Sequence, residues 1–174
     1  MNKKHLPVLL LLIFLTQWVH AQTWDGSASS DWNDPANWTP ANVPLNNGNV
    51  TIPNTANAPV LPGNTIVNNL DINAGAILNF NGFSLTVNGN IDINGATLNN
   101  SSGSTDIDIT INGSGSQYIR NTTFNDHVIL NHTGTGGLFE GFQGGNIYNG
   151  NLTINSTSAA ATRTCYTASV RFQR

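Results

Sequence analysis

A short pattern of hydrophobic and polar positions recurs along the chain from residue 70 onward. Each copy has an aliphatic residue, a variable residue, a second aliphatic residue and an asparagine. Residues two apart in a strand lie on one face, so both aliphatic side chains of a copy face the same core. Asparagine tolerates the backbone of a turn, so each copy predicts a short strand that ends at a turn. The six copies are Leu70–Asn73, Leu85–Asn88, Ile91–Asn94, Ile109–Asn112, Val128–Asn131 and Leu152–Asn155.

The spacing of these copies favours a parallel β-helix. If Leu70, Ile91, Ile109, Val128 and Leu152 are equivalent positions, the steps between them are 21, 18, 19 and 24 residues, which suits one coil of a solenoid. A second register supports this period, because aromatic residues recur 24 apart at 124, 148 and 172. The alternative is an antiparallel β-sandwich, which also has many short strands. Asparagine at one phase of the repeat favours the solenoid, where stacked amides form ladders.

The region before the repeats has a different composition. Residues 22–62 are rich in Trp, Pro and Asn, and prolines exclude helix and restrict strands to edges or short pieces. Trp24, Trp32 and Trp38 are expected to pack together or to cover the open end of a core. The predicted organisation is therefore a cap over residues 22–62 and a β-helical repeat domain over residues 63–174.

The first 21 residues have the features of a secretory signal peptide. Lys3 and Lys4 precede an apolar run from Leu6 to Leu15, and Ala21 is a small residue suited to cleavage. The run is too short to span a membrane, which takes about 20 apolar residues. Cleavage near Ala21 leaves a product without lysine and with a net charge of −5, which is expected to be secreted or to lie on the outer cell surface.

Composition excludes several classes of protein. Only 9% of the residues are charged and the formal net charge is −3, so the chain lacks the clustered cations that a nucleic-acid-binding protein needs. Cys165 is the single cysteine, so a framework of disulfides within the chain is excluded. None of the common catalytic or phosphate-binding motifs occurs, and no enzymatic activity or cofactor is predicted.

Four acidic residues are weak candidates for a calcium site. Asp71 and Asp92 share the variable position of the repeat, so stacked coils would bring them together, and Asp106 and Asp108 are further candidates. Solvated surface acids are the favoured interpretation of all four. His127 and His132 are likewise expected to be polar residues that face solvent.

Aromatic residues suggest an alternative function. In a protein that binds or cleaves polysaccharide, sugar rings would stack on aromatic side chains of an outer groove. The candidates are Tyr118, Phe139, Phe142 and Tyr148, although packing inside the coil is the favoured expectation for all four. The leading hypothesis is a non-enzymatic structural or adhesion module whose partners are glycans or surface and matrix proteins.

The segment from Trp24 to Pro44, W-D-G-S-x-S-S-D-W-N-D-P-A-N-W-x-P-x-x-V-P, resembles the opening of large secreted surface proteins of Bacteroidota. The later segments F-N-D-H-V-I-L-N-H-T-G-T-G-G-L and Y-N-G-N-L-T-I-N are similar to their Asn/Thr/Gly-rich β-helical repeats. The resemblance implies export across two membranes, often by the type IX system, and an adhesin-like role. It also implies a C-terminal sorting domain, which does not follow within the 174 residues, so a fragment with an uncapped last coil and edge-to-edge self-association is expected.

Overall fold

A computed structural model describes residues 21–103 and 106–158, together with the backbone of 162–164 and 171–172. In the first part, three strands are β1 (Gln22–Trp24), β2 (Trp38–Thr39) and β3 (Gly48–Ile52), with a 3₁₀ turn at Pro35–Asn37. The predicted signal segment lies outside the described residues except for Ala21, and Cys165 also lies outside them. No helix in the described part has the length and apolar character needed to cross a membrane.

The remaining described strands form five successive turns of a solenoid. The first turn has β4 (Thr65–Ile72) and β5 (Ile77–Asn79), and the second has β6 (Ser84–Val87), β7 (Ile91–Asn94) and β8 (Thr97–Asn99). The third turn has β9 (Ile107–Ile111), β10 (Gln117–Arg120) and β11 (Thr123–Phe124). The fourth has β12 (Val128–His132), β13 (Leu138–Glu140) and β14 (Ile147–Tyr148), and the fifth has β15 (Leu152–Ser156), β16 (Thr162–Thr164) and β17 (Arg171–Phe172).

Equivalent strands of successive turns pair in parallel and form three faces. The first face contains the N-terminal half of β4 followed by β6, β9, β12 and β15. The second face contains β3, the C-terminal half of β4, β7, β10, β13 and β16, and the third contains β5, β8, β11, β14 and β17. Among the described strands only β1 and β2 pair antiparallel. The predicted parallel β-helix is therefore confirmed, and the β-sandwich alternative is wrong.

Alternating aliphatic side chains fill the interior of the coil. On the first face Leu85, Ile109 and Leu130 follow one another in register and are fully buried. On the second face Leu70 and Ile72 pair in the same way with Ile91 and Ile93. Each turn thus buries part of its apolar surface only by stacking on its neighbours, which is how a solenoid gains stability.

The predicted alignment of the repeats is partly wrong. Leu70 pairs with Ile91, and Val128 pairs with Leu152, as expected. Ile109, however, pairs with Leu85 on the first face rather than with Ile91 on the second. The reason is that every turn beyond the first has one strand on the first face and another on the second face. Both strands show the same two-residue alternation, so the pattern does not indicate to which face a strand belongs.

Side-chain amides form ladders between the turns, as predicted. Asn125 donates to Asn99 Oδ1 at 2.7 Å, and Asn149 donates to Asn125 Oδ1 at 2.7 Å. A second ladder joins Asn112 to Asn88 at 2.8 Å, and Asn88 to Asn47 at 3.0 Å. In each of these bonds the residue later in the chain donates and the earlier one accepts. Three of the bonds join neighbouring turns, and the bond from Asn88 to Asn47 joins the second turn to the Trp/Pro-rich region.

Three tryptophans pack together in the Trp/Pro-rich region, as expected. Trp38 lies between the other two, with ring centroids 5.0 Å from Trp24 and 4.8 Å from Trp32. Two of the indole N–H groups donate to backbone carbonyl groups, Trp24 to that of Asn57 and Trp38 to that of Trp32. All three rings belong to the same apolar core as the solenoid, and β3 stacks directly on β4.

Candidate functional site

The outer surface of the second face carries one in-register column of side chains. From the first strand of the face onward, the column contains Thr51, Asp71, Asp92, Tyr118 and Phe139. Their neighbours in each strand point into the core, so these residues point outward. The column changes from carboxylates to aromatic rings between Asp92 and Tyr118, and this junction is the candidate site.

A groove of about 360 Å³ lies at the acidic end of this column. Asp71, Asp92 and Arg120 line it, together with uncharged residues of β3 and of the corner after β4. Arg120 Nη2 donates to both carboxylate oxygens of Asp92, at 3.0 and 2.8 Å. We call this cavity the first groove.

The two carboxylates of the first groove have different surroundings. Asp92 is neutralised by Arg120, whereas burial and then the charge of Asp92 raise the pKa of Asp71 above its ordinary value. The Arg120 guanidinium also lies over the Tyr118 ring, with Cζ 5.1 Å from the centroid, while its buried Nε has no hydrogen-bond partner in the part of the chain that the structure describes. Among the described residues that line the groove, Asp71 is thus a carboxylate without an ion-pair partner, beside the Asp92–Arg120 ion pair.

Three partly exposed aromatic rings lie beside the first groove. The rings of Tyr118 and Phe139 stack with centroids 5.1 Å apart, and Phe142 lies 5.9 Å from Tyr118 and 5.8 Å from Phe139. The expectation that these three residues pack inside the coil is therefore wrong. The residues that face inward on these strands are Gln117, Ile119, Leu138 and Glu140.

Tyr148 is the one aromatic candidate that packs inside the coil as expected. Its ring stacks on Phe124 with centroids 4.8 Å apart and an interplanar angle of 6°. Its hydroxyl donates to Glu140 Oε1 at 2.6 Å, and Asn146 Nδ2 donates to the same oxygen at 2.7 Å. Burial, followed by the charge of Glu140, raises the pKa of Tyr148 well above its usual range. No periodic pattern predicted this buried network, because Glu140 occupies a position that is aliphatic in the earlier turns.

The two described histidines differ in exposure to solvent. His127 is exposed, as predicted, and its Nδ1 accepts from the Asn151 N–H at 2.9 Å. His132 is fully buried, which contradicts the expectation of a solvent-facing side chain. Burial lowers the pKa of His132. As the last inward position of β12, it pairs in register with Ile111.

The calcium candidates divide into two pairs. Asp71 and Asp92 are register partners on the second face, as predicted. Asp106 and Asp108 instead lie at a different groove, of about 370 Å³, on the first face. Among the described residues no three His, Cys, Asp or Glu side chains come together, so neither pair gains a third ligand of this kind. Calcium binding stays a prediction.

The groove that contains Asp106 and Asp108, here called the second groove, shares with the first a pair of carboxylates. Phe83 and Ile129 supply apolar surface, and Asn64 and Ser84 supply polar groups. Asp108 aligns with Ser84 in the preceding turn and with Ile129 in the following turn. The sequence does not predict that Phe83 lies beside these acids, because Phe83 and Asp106 are 23 residues apart.

Comparison with known proteins gives a family but no described activity. No curated protein and no solved structure matches the chain significantly. The model of a family described as a domain of unknown function (DUF8693) matches residues 23–131, which include the Trp cluster, the first groove and most of the first four turns. Because the match covers more than half of the 174 residues, this chain belongs to the DUF8693 family.

Proposed function

We propose that this protein is a non-enzymatic, secreted or cell-surface adhesion module that binds neutral glycans in the first groove. The observation that carries the proposal is the junction of an aromatic cluster with hydrogen-bonding charged groups on one outer face. Binding sites for small molecules commonly combine apolar surface with a few polar groups that fix orientation. The site lies on paired strands, which hold its side chains in place.

The groups of the first groove match the chemistry of a hexose. A sugar ring presents C–H groups on one face, which would pack against the partly exposed rings of Tyr118, Phe139 and Phe142. Its hydroxyl groups would donate to the Asp71 and Asp92 carboxylates and accept from Arg120. The two acids outnumber the single cation there, which favours an uncharged glycan over an acidic one.

The rigidity of the solenoid supports a role in adhesion. A ligand that binds preorganised groups loses less free energy to ordering of the protein. Here the amide ladders and parallel backbone pairing hold each turn on the next.

Secretion is the second part of the proposal, and its support is the N-terminal segment. Mass spectrometry of the exported protein should give a chain that begins near Gln22.

Glycan binding can be tested with the purified chain and a panel of neutral polysaccharides and oligosaccharides. Titration calorimetry should detect binding, and Phe139→Ala and Asp92→Asn should each weaken the first-groove affinity about tenfold or more. Thr123→Ala, on the third face, is the matched control and should bind normally. Absence of binding by a chain with a native circular dichroism spectrum would overturn the glycan proposal. Release of reducing ends or unsaturated sugars would contradict its non-enzymatic part.

A further inference from the structure

We infer that the second groove is a second glycan site, so that one chain bridges two glycan segments. The inference rests on the proposed function and deepens it. The two grooves have nearly equal volumes, about 360 and 370 Å³, and two carboxylates line each of them. Phe83 lines the second groove, and the aromatic cluster of Tyr118, Phe139 and Phe142 lies beside the first. They lie on different faces of one continuous solenoid.

The local backbone explains why the groups of the second groove meet. Asp106 and Asp108 flank the buried residue Ile107, so both acidic side chains lie on the outer side of the first face. Asn131 Nδ2 donates to Asp108 Oδ1 at 2.8 Å, which fixes that carboxylate. On the adjacent turn, the Ser84 N–H donates to Asn64 Oδ1 at 3.1 Å and orders the opposite wall.

The apolar part of the second groove comes from two turns. Phe83 is only partly buried against the core and contributes ring surface next to Ser84. Ile129 follows Asp108 in register and contributes an outward aliphatic side chain. A hexose in this groove would have apolar contacts from these residues and hydrogen-bond acceptors from the two carboxylates.

The charge of the second groove defines the class of glycan. Its described lining residues include Asp106 and Asp108 but no Arg, Lys or His, in contrast to the first groove with Arg120. Carboxylates accept hydrogen bonds from sugar hydroxyls and repel other carboxylates. The ligand class is therefore a neutral hexose polymer, and polymers of uronic acids are expected to bind weakly or not at all.

Two sites on one rigid body would produce bridging. When the first site is occupied, the second binds at a high effective concentration of the same polymer, which raises avidity without any new contact. A chain with two sites also crosslinks two separate polymers. Such crosslinking is a property of a matrix or adhesion protein that a single groove on a monomeric chain would not give.

Stoichiometry and crosslinking together test the inference. A neutral oligosaccharide that binds in the panel is titrated into the purified chain, whose monomeric state is checked by light scattering. We expect two binding sites per chain in the wild type, and for either Phe83→Ala or Phe139→Ala one site of unchanged affinity and one weakened about tenfold or more. Beads coated with the corresponding polysaccharide should be aggregated by the wild-type chain and not by either variant.

A second variant separates loss of binding from loss of folding. Asp108→Asn removes a charge while an amide oxygen still accepts from Asn131, so it should keep the fold and weaken the second-groove affinity about tenfold. A stoichiometry of one, unaffected by Asp108→Asn and abolished by Phe139→Ala, would overturn the second site and leave the proposed function intact. Complete absence of binding would overturn both.

Discussion

Single positions in this solenoid are constrained mainly by the distance between neighbouring turns. At the corner between the first and second faces, glycines of successive turns lie almost against one another. Gly136 N–H donates to Gly113 O at 3.0 Å, and a Cβ atom at Gly136 would overlap the carbonyl oxygen of Gly115. Backbone atoms cannot move aside as a flexible side chain can, so position 136 excludes any side chain.

The glycine corner gives the first prediction. Gly136→Ala should lower the free energy of unfolding by about 2–4 kcal/mol, because the added methyl group forces two turns apart. Gly63→Ala is the matched control, since a Cβ atom there meets nothing within 4 Å, and it should be neutral or slightly stabilising. Denaturant titration measures both variants. Equal midpoints for the two would contradict the close contact of the turns.

Asp71 gives a prediction about pH. The fold holds its pKa above 3.8, so its contribution to stability is full below that value and is lost as the pH rises through the raised pKa. Asp71→Asn should therefore stabilise the protein at pH 7, by about 0.2–1 kcal/mol after solvent screening, and have little effect at pH 3. Thermal melts at both pH values measure this difference.

Asp25 is the control for this pH prediction, because its pKa is shifted in the opposite direction to that of Asp71. Its carboxylate accepts hydrogen bonds from the Thr39 hydroxyl and the Ser27 N–H, and these bonds lower its pKa. Asp25→Asn should therefore lower the melting temperature at pH 7. A stabilising Asp25→Asn together with a destabilising Asp71→Asn would contradict both assignments.

At the scale of strands, the sequence predicts inward and outward positions well where both inward residues are aliphatic. Ile91 and Ile93 of β7 are an example, and both are fully buried. The prediction fails on β10 and β13, where one inward position is polar. Gln117 is tolerated inside because its Oε1 accepts from the Ile91 N–H and its Nε2 donates to Gly115 O, both at 2.8 Å.

The same failure explains why the favoured expectation placed the aromatic rings of the candidate site inside the coil. With Gln117 and Glu140 inside, the intervening Tyr118 and Phe139 must face outward, although their hydrophobicity suggests a core position. Alternation alone does not show which of two neighbouring side chains faces inward, a polar one with hydrogen-bond partners or an aromatic ring. The partners that decide it, Asn146 and Tyr148, lie on the corner after β13 and on β14, and no short pattern links them to Glu140.

The packing of β9 gives a prediction at the strand scale. Ile109→Asp should prevent folding or lower the melting temperature drastically, because an unpaired carboxylate would replace a fully buried side chain between Leu85 and Leu130. Ile77→Asp on β5 is the matched control, since that side chain is 40% exposed, and it should fold normally. Circular dichroism melts distinguish them. Near-wild-type melting of Ile109→Asp would contradict the inward assignment.

At the scale of the whole molecule, the Trp/Pro-rich region and the turns are continuous rather than merely adjacent. Val50 of β3 pairs in register with Leu70 of β4, and the Leu61 N–H donates to Asn79 O at 2.9 Å. The Trp cluster shares one buried core with the aliphatic interior of the turns. At this end β3 pairs with the edge of β4 and β1 pairs with β3, so the first turn does not present an unpaired strand edge there.

This continuity predicts a single unfolding transition. Tryptophan fluorescence reports on the Trp cluster, because Trp24, Trp32 and Trp38 are the tryptophans outside the expected signal segment, whereas far-UV circular dichroism reports mainly on the turns. The two denaturant transitions should coincide.

Leu130→Ala, in the fourth turn and distant from the cluster in sequence, removes a fully buried side chain and should destabilise by about 2–5 kcal/mol. If the molecule unfolds as one unit, this variant shifts the fluorescence transition as far as the dichroism transition. A fluorescence midpoint that stays unchanged would mean that the cluster and the turns unfold separately.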